Sequence, residues 1–515
     1  MKVRLVLLLG ALAAALAISG CGGGGDSGSD PATLAPPDSP VFIEVTKPEG
    51  QAAEDVDALA RRIAGVGDLG SLIVSELESA ANDSGNGLDY GKEIEPWLGE
   101  RAGIFLRRYD GSDFSEAGIA VQVTDSGEAA EFVEKLGAEQ DPPAREASYE
   151  GVHFWVQEDG AAVGVIGDFA AYGEDEKTFK DMVDSADGES LADRDAYSSA
   201  ASEAPSDALA DAFVDIGGLV DQAGGEIDPE TEAGLEILGI EPKGATAFAS
   251  LIPGPDRIEV DLSSDVLAEP PPSGDASALL GSLPADSVAA FASPQAGRAF
   301  GNRIDSIDRK GIPSQGVEPG QLKKVLKEAG IDLDAIASSI GDAAAFVEGE
   351  TEASLGGALV LSTDSAGQAK NTVSSVGVFL RAAGVPGVTA IGGGMSGFSV
   401  HSDGLGPKPL VIAADGSRIA VAYGLPAARR AFAEPSRTLA ESPAYQEAAK
   451  ALGDTPIAAF ADGPAALRLA SALIGAGDRK FREAKPYLAK IDYLALGSES
   501  SDELAKARLI AGIGG

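Results

Sequence analysis

The sequence predicts an α+β protein built from two tandem homologous domains, with largely antiparallel sheets and packed helices, after an N-terminal signal segment. Strand-like and helix-like patterns alternate along the chain, which is typical of that class. Short motifs occur twice in the same order, at offsets between 239 and 251 residues. Hydrophobic residues make up 44% of the 515-residue chain, which favours a globular protein over a disordered acidic one.

The first twenty residues have the layout of an export signal. Lys2 and Arg4 precede an apolar run over residues 5–18, which is shorter than the roughly 20 residues needed to span a bilayer. The run ends in Ile18, Ser19, Gly20 and Cys21, which resembles the lipobox of bacterial lipoproteins. The resemblance implies removal of residues 1–20 and attachment of lipid, with acyl chains such as palmitate, to Cys21.

Cys21 is the only cysteine in the chain, so it has no disulfide partner. Residues 21–33 are rich in Gly and Ser, and we expect them to form a flexible tether. The alternative is an uncleaved helix in which the cysteine is incidental. The first interpretation predicts an extracytoplasmic protein, lipid-anchored to the cell membrane or to the periplasmic face of an envelope membrane.

The charge of the chain is strongly negative. It has 39 Lys and Arg against 81 Asp and Glu, a net charge of −42. Loss of residues 1–20 removes two basic residues, leaving 37 against 81, or −44. Such an excess argues against nucleic acid as a partner. It also predicts that the protein body is repelled by anionic lipid, so that the anchor alone contacts the membrane.

The internal repeat defines the predicted domains. Ala196-Tyr197 is repeated as Ala444-Tyr445, and Phe213-Val214-Asp215 is repeated as Phe460-Ala461-Asp462. These and similar pairs predict a first α+β repeat over residues 34–265 and a second over residues 281–515. A Pro-rich linker is predicted over residues 266–280, which include three consecutive prolines.

Several elements have clear local signals. The strand patterns include residues 41–45, 117–124, 152–157 and 358–361. Two paired apolar runs, 162–172 and 409–423, contain turn signals at Asp168 and at Asp415-Gly416, which predict hairpins.

Helix signals lie between these strands. Asp125 and Glu128 resemble a capping box before a helix over residues 129–136. Helices are also predicted over 321–329 and over 426–433, where Pro426 suits the first helical position.

Two segments of the first repeat carry a family resemblance. Pro37-Asp38-Ser39 precedes one predicted strand, and the run Glu95-Pro-Trp-Leu-Gly-Glu-Arg-Ala102 precedes another. Both are similar to the domain of unknown function 3352 family, a group of bacterial envelope proteins with an export signal or anchor and a repeat of this kind. The second repeat departs from this pattern, because residues 338–342 replace the Pro-Trp-Leu-Gly segment. The resemblance implies an architecture and brings no activity, cofactor or catalytic residue.

Two groups of residues are candidates for metal binding. Asn82, Ser84, Asn86 and Glu93 have the spacing of a calcium loop, although Asn82 stands where Asp is expected. The alternative is a polar loop between helices. His153 and His401, the only histidines, lie 248 residues apart and are either equivalent metal ligands or bases, or side chains on strand faces.

No compact catalytic or metal-binding motif stands out, and no cofactor is expected. We therefore expect a non-enzymatic binding or scaffold module whose partners are the membrane, through the lipid, and an unknown envelope protein or glycan. One alternative is a solute-binding lipoprotein of a transporter, with a cleft between the repeats. Another is an envelope hydrolase that uses paired carboxylates, since acidic residues are abundant.

Overall fold

The structure is a computed structural model of the chain. It describes residues 29–514 with the exception of 68–69, 72–73, 76–77, 80–88, 139–141, 226–230, 232–234, 236–239, 268–273, 312–316, 393, 403, 405, 475–477 and 501–504. Cys21 and the rest of the predicted signal therefore lie outside the described residues. The described residues divide into two compact units, the first falling within the ranges 1–227 and 242–266 and the second within 228–241 and 267–514.

The first unit is built on an antiparallel sheet. Its strands are β1 Val41–Thr46, β2 Leu98–Tyr109, β3 Phe114–Val123, β4 Arg145–Tyr149, β5 Val152–Val156, β6 Ala162–Ile166, β7 Phe169–Gly173, β8 Ala210–Asp215, β9 Thr246–Pro253 and β10 Arg257–Ser264. They pair in the order β4-β5-β6-β7-β3-β2-β1-β8-β9-β10, and each of these pairings is antiparallel.

Helices of the first unit fill the connections between these strands. They are α1 Gly50–Ala64, α2 Tyr90–Glu93, α3 Ser126–Ala138, α4 Glu176–Asp187, α5 Asp195–Ser202 and α6 Ile216–Gln222, with short 3-10 helices at Pro31–Leu34 and Leu191–Asp193. Asp125 accepts hydrogen bonds from the N–H groups of Gly127 and Glu128, at 2.9 and 3.0 Å, and so caps the start of α3.

The second unit has a sheet of the same design. Its strands are β11 Ala289–Ser293, β12 Ile340–Glu348, β13 Gly356–Thr363, β14 Val388–Ala390, β15 Ser396–Val400, β16 Leu410–Asp415, β17 Arg418–Tyr423, β18 Ile457–Asp462, β19 Ile491–Ser500 and β20 Ala505–Ile513. They pair in the order β14-β15-β16-β17-β13-β12-β11-β18-β19-β20, again antiparallel throughout. The pairing order is that of the first unit with every strand number raised by ten.

Its helices also fall in corresponding connections. They are α7 Ser277–Gly281, α8 Ala296–Lys310, α9 Leu322–Glu328, α10 Leu333–Ser339, α11 Ala366–Ala382, α12 Leu425–Phe432, α13 Pro443–Leu452, α14 Gly463–Ile474 and α15 Arg479–Leu488, with a 3-10 helix at Leu439–Glu441. The predicted α+β class with antiparallel sheets is confirmed. The homologous domains and their boundaries stay predictions.

The predicted tether and the predicted linker each end in residues that pack into a hydrophobic core. Ala32 lies near the end of the predicted tether, and it is buried in the core of the first unit. Leu280 lies at the end of the predicted linker, and it is buried in the core of the second unit. Both side chains are apolar, and burial removes their surfaces from water.

The repeated motifs have a packing role in each unit. Tyr197 of α5 packs edge-on against Phe213 of β8, with ring centroids 5.6 Å apart. Tyr445 of α13 meets Phe460 of β18 in the same way, at 5.5 Å. Each aromatic pair holds a helix against one sheet face and contributes about 1 kcal/mol beyond simple burial.

Candidate functional site

Each sheet has two faces, which we call inner and outer. The inner face carries the Tyr–Phe pairs and is covered by helices, among them α4 and α5 in the first unit and α13 in the second. Among the residues that the structure describes, helices pack on the outer face at one end of the sheet. There, α3 packs Phe132 over the β3, β6 and β7 region, and α11 packs Val373 over β15 and β16 in the second unit.

Beyond α3, the outer face of the first unit is apolar and partly open. The strand register aligns one row of outer-face residues across five strands: Ile104, Ile43, Ala212, Ala249 and Leu262. Ile43 is 37% exposed and Leu262 is 41% exposed. A continuous apolar row that includes exposed large aliphatic side chains is normally covered, so this face is a candidate binding surface.

The corresponding outer face of the second unit is more open. Its matching row is Leu359, Ala345, Phe291, Ala459, Leu496 and Leu509. Phe291 at the centre is 46% exposed, while Leu359 and Leu509 are each 38% exposed. Alternation along β11 explains the exposure, because Ala290 and Ala292 point into the core and Phe291 points away from it.

A shallow concavity of about 360 Å³ lies on this face, over β11, β12, β18, β19 and β20. The thirteen residues that line it are all Ala, Val, Leu or Phe. A polar ligand placed here would lose its hydrogen bonds to water without gaining new ones from these side chains. The chemistry of the lining therefore suits a hydrocarbon group.

A polar cluster lies on the inner face of the first unit. Glu44 of β1 stands directly opposite Asp211 of β8 in the strand register. The Glu44 carboxylate, 8% exposed, accepts a hydrogen bond of 2.5 Å from Nε of Arg101. Asp211 accepts a hydrogen bond of 2.5 Å from the Ser250 hydroxyl, and Tyr197 is buried beside the cluster.

Burial raises the pKa of the Glu44 carboxyl, and the hydrogen bond from Arg101 opposes that shift. Burial also raises the pKa of Asp211, against its hydrogen bond from Ser250. These two acids are one pair of neighbouring carboxylates of the kind considered from the sequence. Each is already bonded within a packed core, so the arrangement resembles a structural cluster rather than an open catalytic pair.

The second unit has no such cluster at the matching positions. Glu44 and Asp211 each lie two residues from the paired Phe42 and Phe213. The residues at the same distance from the paired Ala290 and Phe460 are Ala292 and Ala458. The sequence does not predict this cluster, because no local pattern distinguishes the carboxylates that are buried together from the rest of the 81 acidic residues.

The predicted calcium loop is only partly described. Asn82, Ser84 and Asn86 lie outside the described residues. Glu93 ends α2, where Oε1 forms an ion pair with Lys135 and Oε2 accepts the Asp89 N–H at 3.1 Å. The hydrogen bond from Lys135 lowers the pKa of Glu93, so a metal at this carboxylate would have to displace the lysine.

The two histidines occupy different positions. His153 lies within β5, where its side chain is 75% exposed and Nδ1 is 3.7 Å from a carboxylate oxygen of Glu146. His401 follows the last residue of β15 and is also exposed. In the described ranges, no three His, Cys, Asp or Glu side chains lie close enough together to hold a metal ion. Among the described helices, none has both the length and the apolar character needed to cross a membrane.

Comparison with known proteins bears on the family alone. A family model described as "Protein of unknown function (DUF3352)" matches residues 6–507, which confirms the resemblance predicted from the sequence. No curated protein matches the chain. Two crystal forms of a protein called TP0453 match 47% of this chain, at 11% and 8% identity over 81% and 80% of their own chains. Their TM-scores are 0.26 and 0.24, too low to support any argument about function.

Proposed function

Because this chain belongs to the DUF3352 family of proteins of unknown function, its role has to be argued from its own residues, and we propose that it is a lipid-anchored, non-enzymatic binding protein of the cell envelope. Its ligand is a hydrocarbon chain, held on the outer face of the second unit. The observation that carries the proposal is the concavity of about 360 Å³ lined only by Ala, Val, Leu and Phe.

The size and the chemistry of this concavity support a hydrocarbon ligand. Its volume lies within the roughly 300–1,000 Å³ range of small-molecule sites. Covering Phe291 and its neighbours removes apolar surface from water, and each Å² contributes about 25 cal/mol. The lining offers no charged or hydroxyl side chain that would orient a sugar or a peptide. A polar headgroup would therefore remain outside the concavity, in water.

The anchor is supported by the sequence Ile18-Ser19-Gly20-Cys21, which the described residues do not include. Cys21→Ser removes the thiol that would carry the lipid. We expect this variant to move to the soluble fraction or to persist as an unprocessed precursor. If its membrane association and processing were those of the wild type, the lipoprotein proposal would be wrong.

Ligand binding is tested separately, on the chain from residue 21 onward with Cys21→Ser, so that the apolar run over residues 5–18 is absent, with a fluorescent long-chain fatty acid as the probe. Phe291→Gln places an amide at the centre of the concavity, and Ala459→Phe fills it, since Ala459 is the cross-strand partner of Phe291. We expect both substitutions to weaken binding at least tenfold. Ile43→Gln is the matched control, because Ile43 is similarly exposed at the corresponding row of the first unit.

The outcomes separate clearly. Weakening by Phe291→Gln and Ala459→Phe, with little change for Ile43→Gln, supports a site on the second unit. Equal weakening by all three substitutions would show that the apolar faces bind without selectivity. Failure of the unsubstituted protein to bind the probe, or any other lipid in native mass spectrometry, would refute the proposed ligand class.

A further inference from the structure

The connection between β18 and β19 has a charge opposite to that of the whole chain. Residues 463–490 contain six Lys and Arg against two Asp and Glu, a net charge of +4. The corresponding connection of the first unit, residues 216–245 between β8 and β9, contains one basic residue against seven acidic ones, or −6. The strands on either side correspond in the two units, so the difference lies in the connection itself.

The cations of this connection are concentrated on α15. Lys480, Arg482 and Lys485 are exposed, and in the described part of the chain no carboxylate forms an ion pair with them. Arg479 of the same helix pairs with Glu483 at 2.8 Å. Arg468 of α14 pairs with Glu350 at 2.7 Å. Three cations are therefore left facing water on one helix of ten residues.

Apolar side chains of the same helix pair are exposed as well, and the two helices contact each other. Leu473 and Ile474, at the end of α14, are each 51% exposed, and Tyr487 of α15 is 60% exposed. On α15, the helical period places Phe481 and Leu488 along one side of the helix, and Lys480 and Lys485 lie to either side of that apolar stripe. Cations that flank apolar and aromatic side chains are typical of helices that lie in a membrane interface.

We infer that the helix pair α14–α15, defined by residues 463–474 and 479–488, docks on the surface of an anionic lipid bilayer. Lys480, Arg482 and Lys485 contact the lipid phosphates, while the exposed apolar side chains enter the headgroup region. The net charge of −42 does not oppose this locally, because charges more than about 8 Å away are largely screened at physiological ionic strength. The net charge alone predicts that only the lipid anchor contacts the membrane. The helix pair would add a second membrane contact.

A bilayer fits this surface better than an acidic protein does. Carboxylates of a protein partner would pair with the cations, but the exposed side chains of Leu473, Ile474 and Tyr487 on the same helix pair need an apolar partner. A bilayer interface presents phosphate and hydrocarbon within a few ångströms of each other. The inference is independent of hydrocarbon binding by the concavity and of the lipid on Cys21.

The test uses the chain from residue 21 onward with Cys21→Ser, so that neither lipid on the cysteine nor the apolar run over residues 5–18 can contribute, and vesicles of phosphatidylcholine with or without phosphatidylglycerol. We expect co-sedimentation only with the anionic vesicles, and weaker binding as salt is raised. The triple variant K480E/R482E/K485E should bind at least about a hundredfold more weakly, since each lost cation near an anionic surface contributes about fivefold and each new carboxylate adds repulsion. Circular dichroism establishes that the variant is folded.

A charge-matched control distinguishes a local site from net charge. K370E/R437E/K450E changes three exposed cations elsewhere in the second unit by the same amount. This control should bind within about threefold of the unsubstituted chain. Leu473→Ser with Ile474→Ser should weaken binding while leaving its salt dependence intact.

Three results would overturn the inference. The first is no binding to anionic vesicles. The second is an equal loss for the charge-matched control, which would make net charge the cause. The third is a change in self-association of the triple variant without a change in vesicle binding, which would make a second copy of the chain the partner. A loss of fatty-acid binding in the Phe291→Gln variant leaves vesicle docking unaffected, so the two proposals fail separately.

Discussion

Arg101 is the residue whose loss tests the account of the first unit most sharply. Its Nε lies 2.5 Å from a carboxylate oxygen of Glu44, which is 8% exposed, while Arg101 itself is 28% exposed. Arg101→Met keeps most of the side-chain volume and removes the charge. Glu44 is then left as a buried anion without its partner, which typically costs 3–5 kcal/mol. Because Arg101 keeps some contact with water, we expect about 3 kcal/mol at pH 7.

The pH dependence of this loss has a definite sign. Burial holds the pKa of Glu44 above its ordinary value, and Arg101 limits that rise. A carboxyl group with a raised pKa stabilises the fold most below its ordinary pKa, and this contribution is lost as pH rises through the folded value. Removing Arg101 raises the pKa of Glu44 further. The destabilisation by Arg101→Met should therefore be small near pH 4 and grow toward pH 7.

Urea denaturation followed by tryptophan fluorescence measures this effect. Both tryptophans, Trp97 and Trp155, lie in the first unit, so the signal reports on that unit. Arg108→Met is the control, because Arg108 pairs with Asp38 at the surface and should lose less than 1 kcal/mol. The double variant Glu44→Gln with Arg101→Met should recover most of the loss. A loss below 1 kcal/mol at pH 7, or a loss that does not fall at pH 4, would refute the reasoning.

Three further substitutions, Phe179→Ala and Asp175→Ala in the first unit and Gly463→Ala in the second, test packing and helix capping. Phe179→Ala removes one of two stacked, fully buried rings, and it should lower the free energy of unfolding by about 4 kcal/mol in the same urea assay. Phe114→Ala is the control, because Phe114 is 41% exposed, and it should cost under 1 kcal/mol. Gly463→Ala should cost about 1–3 kcal/mol in thermal denaturation, because an added Cβ collides with the backbone at the start of β19; an unchanged melting temperature would contradict that close approach. Asp175→Ala should lower the free energy of unfolding by about 1 kcal/mol, because it removes the cap of α4. Asp175→Asn should keep most of the capping stabilisation, and equal losses for the two variants would argue against capping.

Much of the local structure was predictable from short patterns. The predicted hairpins over 162–172 and 409–423 are observed as β6–β7 and β16–β17, with Gly167 and Gly416 in the left-handed region at the turns. The helix predicted at 129–136 is part of α3, which Asp125 caps as expected. These features depend on residues that are neighbours in the chain, so their signals are local.

The features that were not predictable depend on contacts between residues that are far apart in the sequence. The alternation of Ala290, Phe291 and Ala292 predicts a strand but does not show that a helix covers one end of the outer face and leaves Phe291 exposed. The cluster of Glu44, Arg101 and Asp211 brings together residues from three separate strands. The basic charge of residues 463–490 was present in the composition, but only its position on an exposed helix pair gives it meaning.

The amino-acid pattern alone indicated the α+β class, the repeated motifs and the acidic charge, and it predicts a lipobox at Cys21, because each of these depends on composition or on near neighbours. Tertiary packing decided the strand order, the exposure of the outer face and the buried pairing of Glu44 with Arg101. It also left three cations of α15 without an ion-pair partner among the described residues. Burial and pairing depend on which distant segments meet, and a linear pattern does not contain that information. The candidate functions of this protein follow from those tertiary contacts, because the contacts determine which apolar and charged side chains remain exposed.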